Sequence, residues 1–288
     1  MMDDYRSVWS HLMHTPFRQG WVDVDGINTR FLQAGREDRP AVLFVHGTGG
    51  NLECFAANLG AHAEHFNCYA IDLLGHGLSS KPHKDYQIAD YIAQILGFMR
   101  VMRLDKVSIV GVSMGSWIGA RFAVSHRERM HKLTMMAPAG LVADRATMQA
   151  IKTSRSGAAG NPTWESVQAV LSSVIFDKKN VVPDLIAARL AIYRQPEMKE
   201  AMARILALQD YDIRVRNLIS AEEWRGIGTP TLVIASSDDT DVFVKSAYDV
   251  AKLIPTSRLV EMKAVAHWPQ WEDHQTFNRV NVDFLLGR

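Results

Sequence analysis

Ser113 lies between two glycines in Val110-Gly111-Val112-Ser113-Met114-Gly115, a G-x-S-x-G pattern. The apolar run Val107 to Val110 precedes it and a helical stretch from Ser116 to Val124 follows. A strand turning sharply into a helix at this point would hold the serine hydroxyl up and exposed, as a nucleophile elbow does. The glycines answer to sterics, because a side chain at either place would strike the strand or helix beside it. A serine hydroxyl is a poor nucleophile at neutral pH, so it needs a general base and a group that orients that base. On elbows of this kind the order along the chain is Ser, then Asp or Glu, then His.

The second half of the chain supplies both partners, each just after a strand pattern. Thr231 to Ala235 leads into Ser236-Ser237-Asp238-Asp239-Thr240-Asp241, and Leu259 to Met262 leads towards Ala266-His267-Trp268-Pro269. The chain has eleven histidines. His267 stands apart from the others because it falls in the short loop between the last strand and the C-terminal helix, where this order places the base. One of Asp238, Asp239 and Asp241 must reach the imidazole, and the residues alone leave that choice open. The charge developing on an attacked carbonyl oxygen needs preorganised donors. His46-Gly47-Thr48-Gly49-Gly50, after the strand pattern Val42 to Val45, is placed to provide them. The backbone amides of Thr48 and of Met114 are the expected oxyanion donors, each typically worth about 3 to 4 kcal/mol in a transition state. The same loop lacks the G-x-G-x-x-G spacing and the lysine of a phosphate cradle. His46 is expected to order the loop.

These residues need a scaffold. Trp21 to Gln33 alternates across Asp25-Gly26 and reads as a β-hairpin. Short apolar runs at Ala41 to Val45, Cys68 to Ile71, Val107 to Val110, Leu133 to Met136, Thr231 to Ala235 and Arg258 to Met262 read as buried parallel strands. Helical patterns such as Ile88 to Arg103 lie between most of them, which implies a mostly parallel sheet covered on both faces. From about Gly140 to Arg225 the rhythm breaks. No strand pattern occurs there, but amphipathic stretches do, at Trp164 to Phe176, Pro183 to Arg194 and Glu197 to Leu208. The expected organisation is a core over residues 1–139 and 226–288, with a helical lid at 140–225 over the C-terminal sheet edge, where open α/β sheets bind ligands.

Composition narrows the class. The chain has 288 residues, 47% hydrophobic and 22% charged, the balance of a globular protein with a substantial core. A formal net charge of +1 gives no reason to expect nucleic acid or an acidic membrane as a partner. No stretch approaches a membrane span of roughly 18 apolar residues. The acidic, polar opening Met1 to Arg6 is unlike a secretory signal. Two cysteines, Cys54 and Cys68, make neither a disulfide framework nor a metal motif. The expectation is a cytoplasmic protein with a small-molecule partner, no cofactor and no metal. Whether it forms a homo-oligomer is left open.

Taken together, the residues resemble the α/β-hydrolase superfamily over nearly the whole chain. Asp72-Leu73-Leu74-Gly75-His76-Gly77-Leu78-Ser79 resembles the D-x-x-G-x-G-x-S segment of that family, a loop-ordering element. Ser236-Ser237-Asp238-Asp239 is similar to its G-x-x-D. The resemblance therefore implies Asp239 as the acid, with Phe243 where a proline is common. A narrower resemblance, to the meta-cleavage product hydrolases, rests on His267-Trp268-Pro269-Gln270-Trp271-Glu272 with Phe277-Asn278-Arg279, and on Arg189 followed by Arg194-Gln195-Pro196-Glu197. Those enzymes hydrolyse a carbon–carbon bond in ring-fission products of aromatic catabolism, and the corresponding arginine binds the substrate carboxylate. Helical spacing puts Leu185, Arg189 and Ile192 on one face, from which a guanidinium could clamp a carboxylate through two parallel hydrogen bonds. The resemblance implies Arg189, Trp268, Gly47 and Val112 as substrate-binding positions. This chain departs from the family at Val112, where asparagine is usual, and in a shorter, less glycine-rich oxyanion loop. An ester or lactone hydrolase is the alternative. More distant readings are a cofactor-independent dioxygenase, which oxygen consumption would reveal, and a receptor on the same fold.

Overall fold

Asp25 and Gly26 both take positive φ, 52° and 83°, the geometry that a two-residue hairpin turn requires. In the computed structural model, which describes residues 7–288, this turn joins β1 (Phe17–Val24) to β2 (Ile27–Ala34) in antiparallel register. The reading of residues 1–6 lies outside the described residues. Six further strands follow: β3 (Ala41–Val45), β4 (Asn67–Ile71), β5 (Val107–Val112), β6 (Met130–Met136), β7 (Thr231–Ser236) and β8 (Ser257–Met262). The sheet order is β1-β2-β4-β3-β5-β6-β7-β8, with β2 antiparallel to β4 and every later pair parallel. Strands β3, β4, β5 and β7 are buried along their whole length. This is why they read as unbroken apolar runs rather than alternating ones.

Helices cover the sheet: α1 (Ala56–Ala63), α2 (Ile88–Val101) and α3 (Met114–Ser125) in the first half, then α10 (Asp241–Leu253), α11 (Pro269–Glu272) and α12 (His274–Leu286) at the end. Between β6 and β7 the chain is helical throughout, as α4 (Arg145–Gly160), α5 (Trp164–Ser172), α6 (Pro183–Tyr193), α7 (Met198–Ile205), α8 (Tyr211–Asn217) and α9 (Ala221–Arg225). The three helices expected there are present, somewhat shorter than their patterns. The longest helix of the insertion, α4, carries few large apolar residues and was not anticipated. Only Met148, Ala158 and Ala159 are buried in it. The result is an eight-stranded, mostly parallel sheet packed with helices, the α/β architecture that the strand and helix patterns imply. Cys54 and Cys68 are free and buried, and burial pushes both thiols up. Among the described residues no helix is long and apolar enough to cross a membrane, and no cluster of His, Cys, Asp or Glu could hold a metal ion.

Three core histidines make the fold sensitive to acid. His46 Nε2 accepts from the Leu73 amide at 3.1 Å while Nδ1 lies 2.9 Å from the Gly47 carbonyl oxygen, so the neutral ring carries its proton on Nδ1. His62 does the same between Asn281 Nδ2 and the Asn58 carbonyl. His76 donates from Nδ1 to Leu74. Burial pushes His46 down to about 3, His62 to about 4 and His76 well below its usual range. An unfolded histidine takes up a proton near pH 6.5, whereas these do not. Stability is therefore unaffected above about pH 6.5 and falls below it, by about 1.4 kcal/mol per pH unit for each histidine. Asp72, pushed up to about 6 by burial and by Glu53 against the pull of Arg30, works in the opposite direction below that pH and offsets part of the loss. Urea midpoints should consequently drop steeply between pH 7 and pH 5. A flat profile over that window would contradict the neutral, buried assignments.

Candidate active site

The elbow is strained as its pattern requires. Ser113 sits at φ 57°, ψ −115° between β5 and α3, a region that non-glycine residues occupy only when the surroundings enforce it. Several contacts enforce it here. The Ser113 amide donates to the Met136 carbonyl at 2.9 Å. The buried Ser116 hydroxyl lies 2.7 Å from the Gly111 carbonyl and 2.8 Å from that of Met136, and it accepts from the Met136 amide. A Cβ on Gly111 would come within 2.4 Å of the Gly115 backbone, and one on Gly115 within 2.0 Å of the Val45 carbonyl oxygen. Both contacts are with main chain, which cannot swing aside.

The loop after β3 lies directly against the serine. A Cβ on Gly47 would stand 3.1 Å from Ser113 Cβ, so the absence of a side chain lets this backbone approach the hydroxyl. Thr48 Oγ1 donates to Met114 Sδ at 3.7 Å, which brings the two residues together. Among the described residues neither the Thr48 nor the Met114 backbone amide donates to another main-chain group. Met114 opens α3, where the first amides of a helix have no partner within it. His46 fastens this loop to the Asp72 loop through Leu73, as its expected ordering role requires. Asp72 in turn accepts from the Leu52 and Leu78 amides and from Arg30.

At the other end of the sheet His267 Nδ1 donates to Asp239 Oδ2 at 2.9 Å. Asp239 Oδ1 accepts from the Thr240 amide at 2.7 Å. The two side chains are 12% and 5% exposed, a largely desolvated pair. Asp238 instead accepts from the Ala264 amide, and Asp241 is exposed in the first turn of α10. Of the three aspartates, Asp239 is the one bonded to His267. Phe243 packs edge-on against the imidazole with ring centroids 4.5 Å apart. With Nδ1 used on Asp239, the ring presents Nε2 to the cavity. No hydrogen bond joins Ser113 Oγ to His267 among the described residues. Such contacts commonly tighten only once substrate is bound.

Ser113, Asp239, His267, Gly47, Thr48, Arg189 and Trp268 all line one cavity of about 510 Å³. Its remaining wall comes largely from α4, α5 and the segment after α5. Met114 borders a small adjoining space with Thr48 and Ser113. Val112 does not join them. It ends β5 opposite Met136, is fully buried among core residues and contributes nothing to the cavity wall. Arg189 is only 3% exposed, not a solvated residue at the rim. Its Nε donates to Asn51 Oδ1 at 2.6 Å, and its guanidinium lies 5.8 Å from the Tyr193 ring centroid and 5.9 Å from that of Trp268.

The helical insertion is tied to the base loop by several bonds. The His267 amide donates to the Val174 carbonyl at 3.1 Å and the Phe176 amide to Glu272 Oε2 at 2.6 Å, while Trp271 Nε1 donates to the Asn180 carbonyl at 2.8 Å. Asn278 bonds Asn58 and the Ala57 carbonyl in α1. The C-terminal motif is therefore mostly a set of anchors around His267. Sequence reasoning missed Asn51 and Arg155 at the site. Asn51 sits directly after the glycine-rich loop, which could have drawn attention to it, while α4 carries only a short inward stripe, Met148 and Ile151 before Ala158 and Ala159, at whose spacing Arg155 falls.

A family model described as the alpha/beta hydrolase fold matches residues 40–274. The chain belongs to the α/β-hydrolase fold family. This member is a hydrolase, and its similarity extends to hydrolases named for 2-hydroxy-6-oxo-hexa-2,4-dienoates. The 2-hydroxy-6-oxo-6-(2'-aminophenyl)hexa-2,4-dienoic acid hydrolase of Metapseudomonas resinovorans is 27% identical over 283 residues, 97% of this chain and 94% of its own. A 2-hydroxy-6-oxo-6-phenylhexa-2,4-dienoate hydrolase of Burkholderia cepacia is 29% identical over 259 residues, 86% of this chain and 88% of its own. The crystal structure of a serine hydrolase involved in carbazole degradation superposes with a TM-score of 0.79 at 27% identity, covering 95% of this α/β hydrolase and 100% of that chain.

Proposed function

We propose that this α/β hydrolase is a cofactor-free serine hydrolase that cleaves a carbon–carbon bond in a carboxylate-bearing ring-fission product. The observation that carries this reading is the desolvated His267–Asp239 pair, which shares one cavity with the strained Ser113 and the buried Arg189. Its similarity to hydrolases named for such dienoates supports the substrate class.

In this mechanism the bound dienol first ketonises, so that the leaving carbon becomes an electron sink. Ser113 Oγ attacks the remote ketone as His267 Nε2 takes its proton, and Asp239 stabilises the imidazolium. The oxyanion receives the amides of Thr48 and Met114. Its collapse breaks the carbon–carbon bond, sending that electron pair into a dienolate, which His267 reprotonates on carbon. Water, activated by the same imidazole, then releases the acyl group from Ser113. The insertion over residues 140–225 acts as a lid on the core formed by 1–139 and 226–288, and Arg189 clamps the carboxylate. A second reading, hydrolysis of an ester or lactone with a nearby carboxylate, is favoured by Val112, whose core position supplies no polar contact to a dienol.

The test is turnover of 2-hydroxy-6-oxo-6-phenylhexa-2,4-dienoate beside a panel of aryl and alkyl monoesters, followed by loss of the dienolate chromophore or release of the alcohol. Turnover of the dienoate well above the esters is expected. Ester turnover alone would transfer the assignment to the second reading. Consumption of oxygen would make the protein a dioxygenase. Arg189→Ala should lower kcat/KM for carboxylate-bearing substrates by about 10- to 150-fold, the worth of a lost charged hydrogen bond of about 1.5 to 3 kcal/mol. Neutral esters should be little affected. Equal losses on both would make Arg189 structural.

A further inference from the structure

The cavity has a second guanidinium that the proposed mechanism does not use. Arg155, on α4, lines the same space as Arg189 on α6. Its Nε is buried without a partner among the described residues, and Nη1 reaches only the neighbouring Ser154 hydroxyl at 3.0 Å. Arg189 has committed Nε to Asn51, so its two terminal nitrogens are the fork left for a ligand. Both arginines come up to one residue, Tyr193. A Cβ placed on Gly49 would lie 3.6 Å from Arg155 Cδ and 3.0 Å from the Tyr193 hydroxyl, while Arg189 stands against the Tyr193 ring and bonds Asn51. Tyr193 itself donates to the Gly49 carbonyl at 3.1 Å, so the two guanidiniums flank one fixed phenol.

Nothing among the described residues lining the cavity balances this charge. Asp239 is the one acidic side chain in the lining, and it already accepts from His267 and from the Thr240 amide. Burial pulls Arg155 down from its ordinary value and the charge of Arg189 adds to this, with Tyr193 opposing. Two cations placed side by side in a largely apolar pocket, with a donor atom left unpaired, cost stability unless an anion completes them.

We propose that Arg155 and Arg189 form a two-guanidinium site in which Arg189 holds the substrate carboxylate and Arg155 reads the oxygen on the carbon next to it. This rests on the hydrolase reading above and adds to it a specificity-determining residue, Arg155, which that reading does not use. The placement also fits the course of the charge. When the carbon–carbon bond breaks, its electron pair is delocalised onto that 2-oxygen as the dienolate, beside Arg155. The imidazolium of His267 then returns a proton to carbon and the charge is discharged.

The experiment is calorimetric binding to the Ser113→Ala protein, which needs no turnover, with hexanoate, 2-oxohexanoate and adipate as ligands. 2-Oxohexanoate should bind about tenfold tighter than hexanoate, the worth of one charge-assisted hydrogen bond. Adding Arg155→Gln should bring the two within about twofold of each other by removing the gain on the oxo acid alone, and adding Arg189→Gln should weaken both acids. Arg155→Lys, which keeps the charge in a different shape, should retain part of the preference and serves as the folded control should the glutamine variant melt early. The proposal is overturned if the preference survives Arg155→Gln, if hexanoate loses as much as 2-oxohexanoate, or if adipate, with its second charge at the far end, takes the Arg155-dependent gain instead. The hydrolase reading fails separately, through absence of p-nitrophenyl butyrate turnover and of Ser113 labelling by an activated phosphonate in the wild-type protein.

Discussion

Ser113→Ala should lower kcat by about four to six orders of magnitude while leaving the protein folded. The size of the effect follows from what remains. Without the hydroxyl no acyl-enzyme forms, and the residual rate comes from the oxyanion donors and binding alone, about 10³ to 10⁴ over water in comparable constellations. Folding should survive because the elbow is held by the Ser113 amide, Ser116 and the two glycines rather than by the Ser113 hydroxyl. Steady-state kinetics beside a urea titration would check both halves. Activity within tenfold of wild type, with an unchanged midpoint, would remove the nucleophile assignment.

The second large effect is expected at Asp239→Asn, about 10⁴ in kcat. Asp239 accepts two hydrogen bonds, from the Thr240 amide on Oδ1 and from His267 Nδ1 on Oδ2. An amide placed with its oxygen towards Thr240 offers an N–H to the imidazole, which must then accept at Nδ1 and carry its proton on Nε2. That is the wrong tautomer for taking a proton from serine. The loss should therefore fall on kcat with little change in KM, because Asp239 binds the base rather than the substrate. Asp238→Asn is the matched control and should change kcat by less than about threefold, since its contacts run to Ser237 and Ala264. Equal losses from the two substitutions would show that this loop acts through its fold rather than through one carboxylate.

Much of this arrangement was legible in the chain. Buried strands in a parallel sheet must be apolar on both faces, so β3, β5 and β7 stood out as runs, and the turn chemistry of Asp25-Gly26 marked the hairpin. The elbow was legible because sterics leave so little freedom at Gly111 and Gly115. Which aspartate pairs with His267 was not fixed by local pattern, since Asp238, Asp239 and Asp241 are similar in sequence and only the path of the loop decides which carboxylate meets the imidazole. Arg155 escaped for a related reason. Its helix is held by caps and small residues, with Asp144 accepting from the Thr147 amide at the start and Ala158 and Ala159 buried near the end. The inward face of that helix, Met148 and Ile151 followed by Ala158 and Ala159, is thin in large apolar residues, so the pattern that places Arg155 inward is faint. Val112 shows the converse. Its position beside the serine suggests a substrate contact, yet as the last residue of a central strand its side chain belongs to the core.

The bonds from Val174, Phe176 and Asn180 to the loop around His267 have a mechanical corollary. Residues 174–180 cannot swing outward to admit a bulky ligand without either severing these ties or dragging the imidazole off its aspartate. That edge of the cavity and the imidazole therefore hold one another in place.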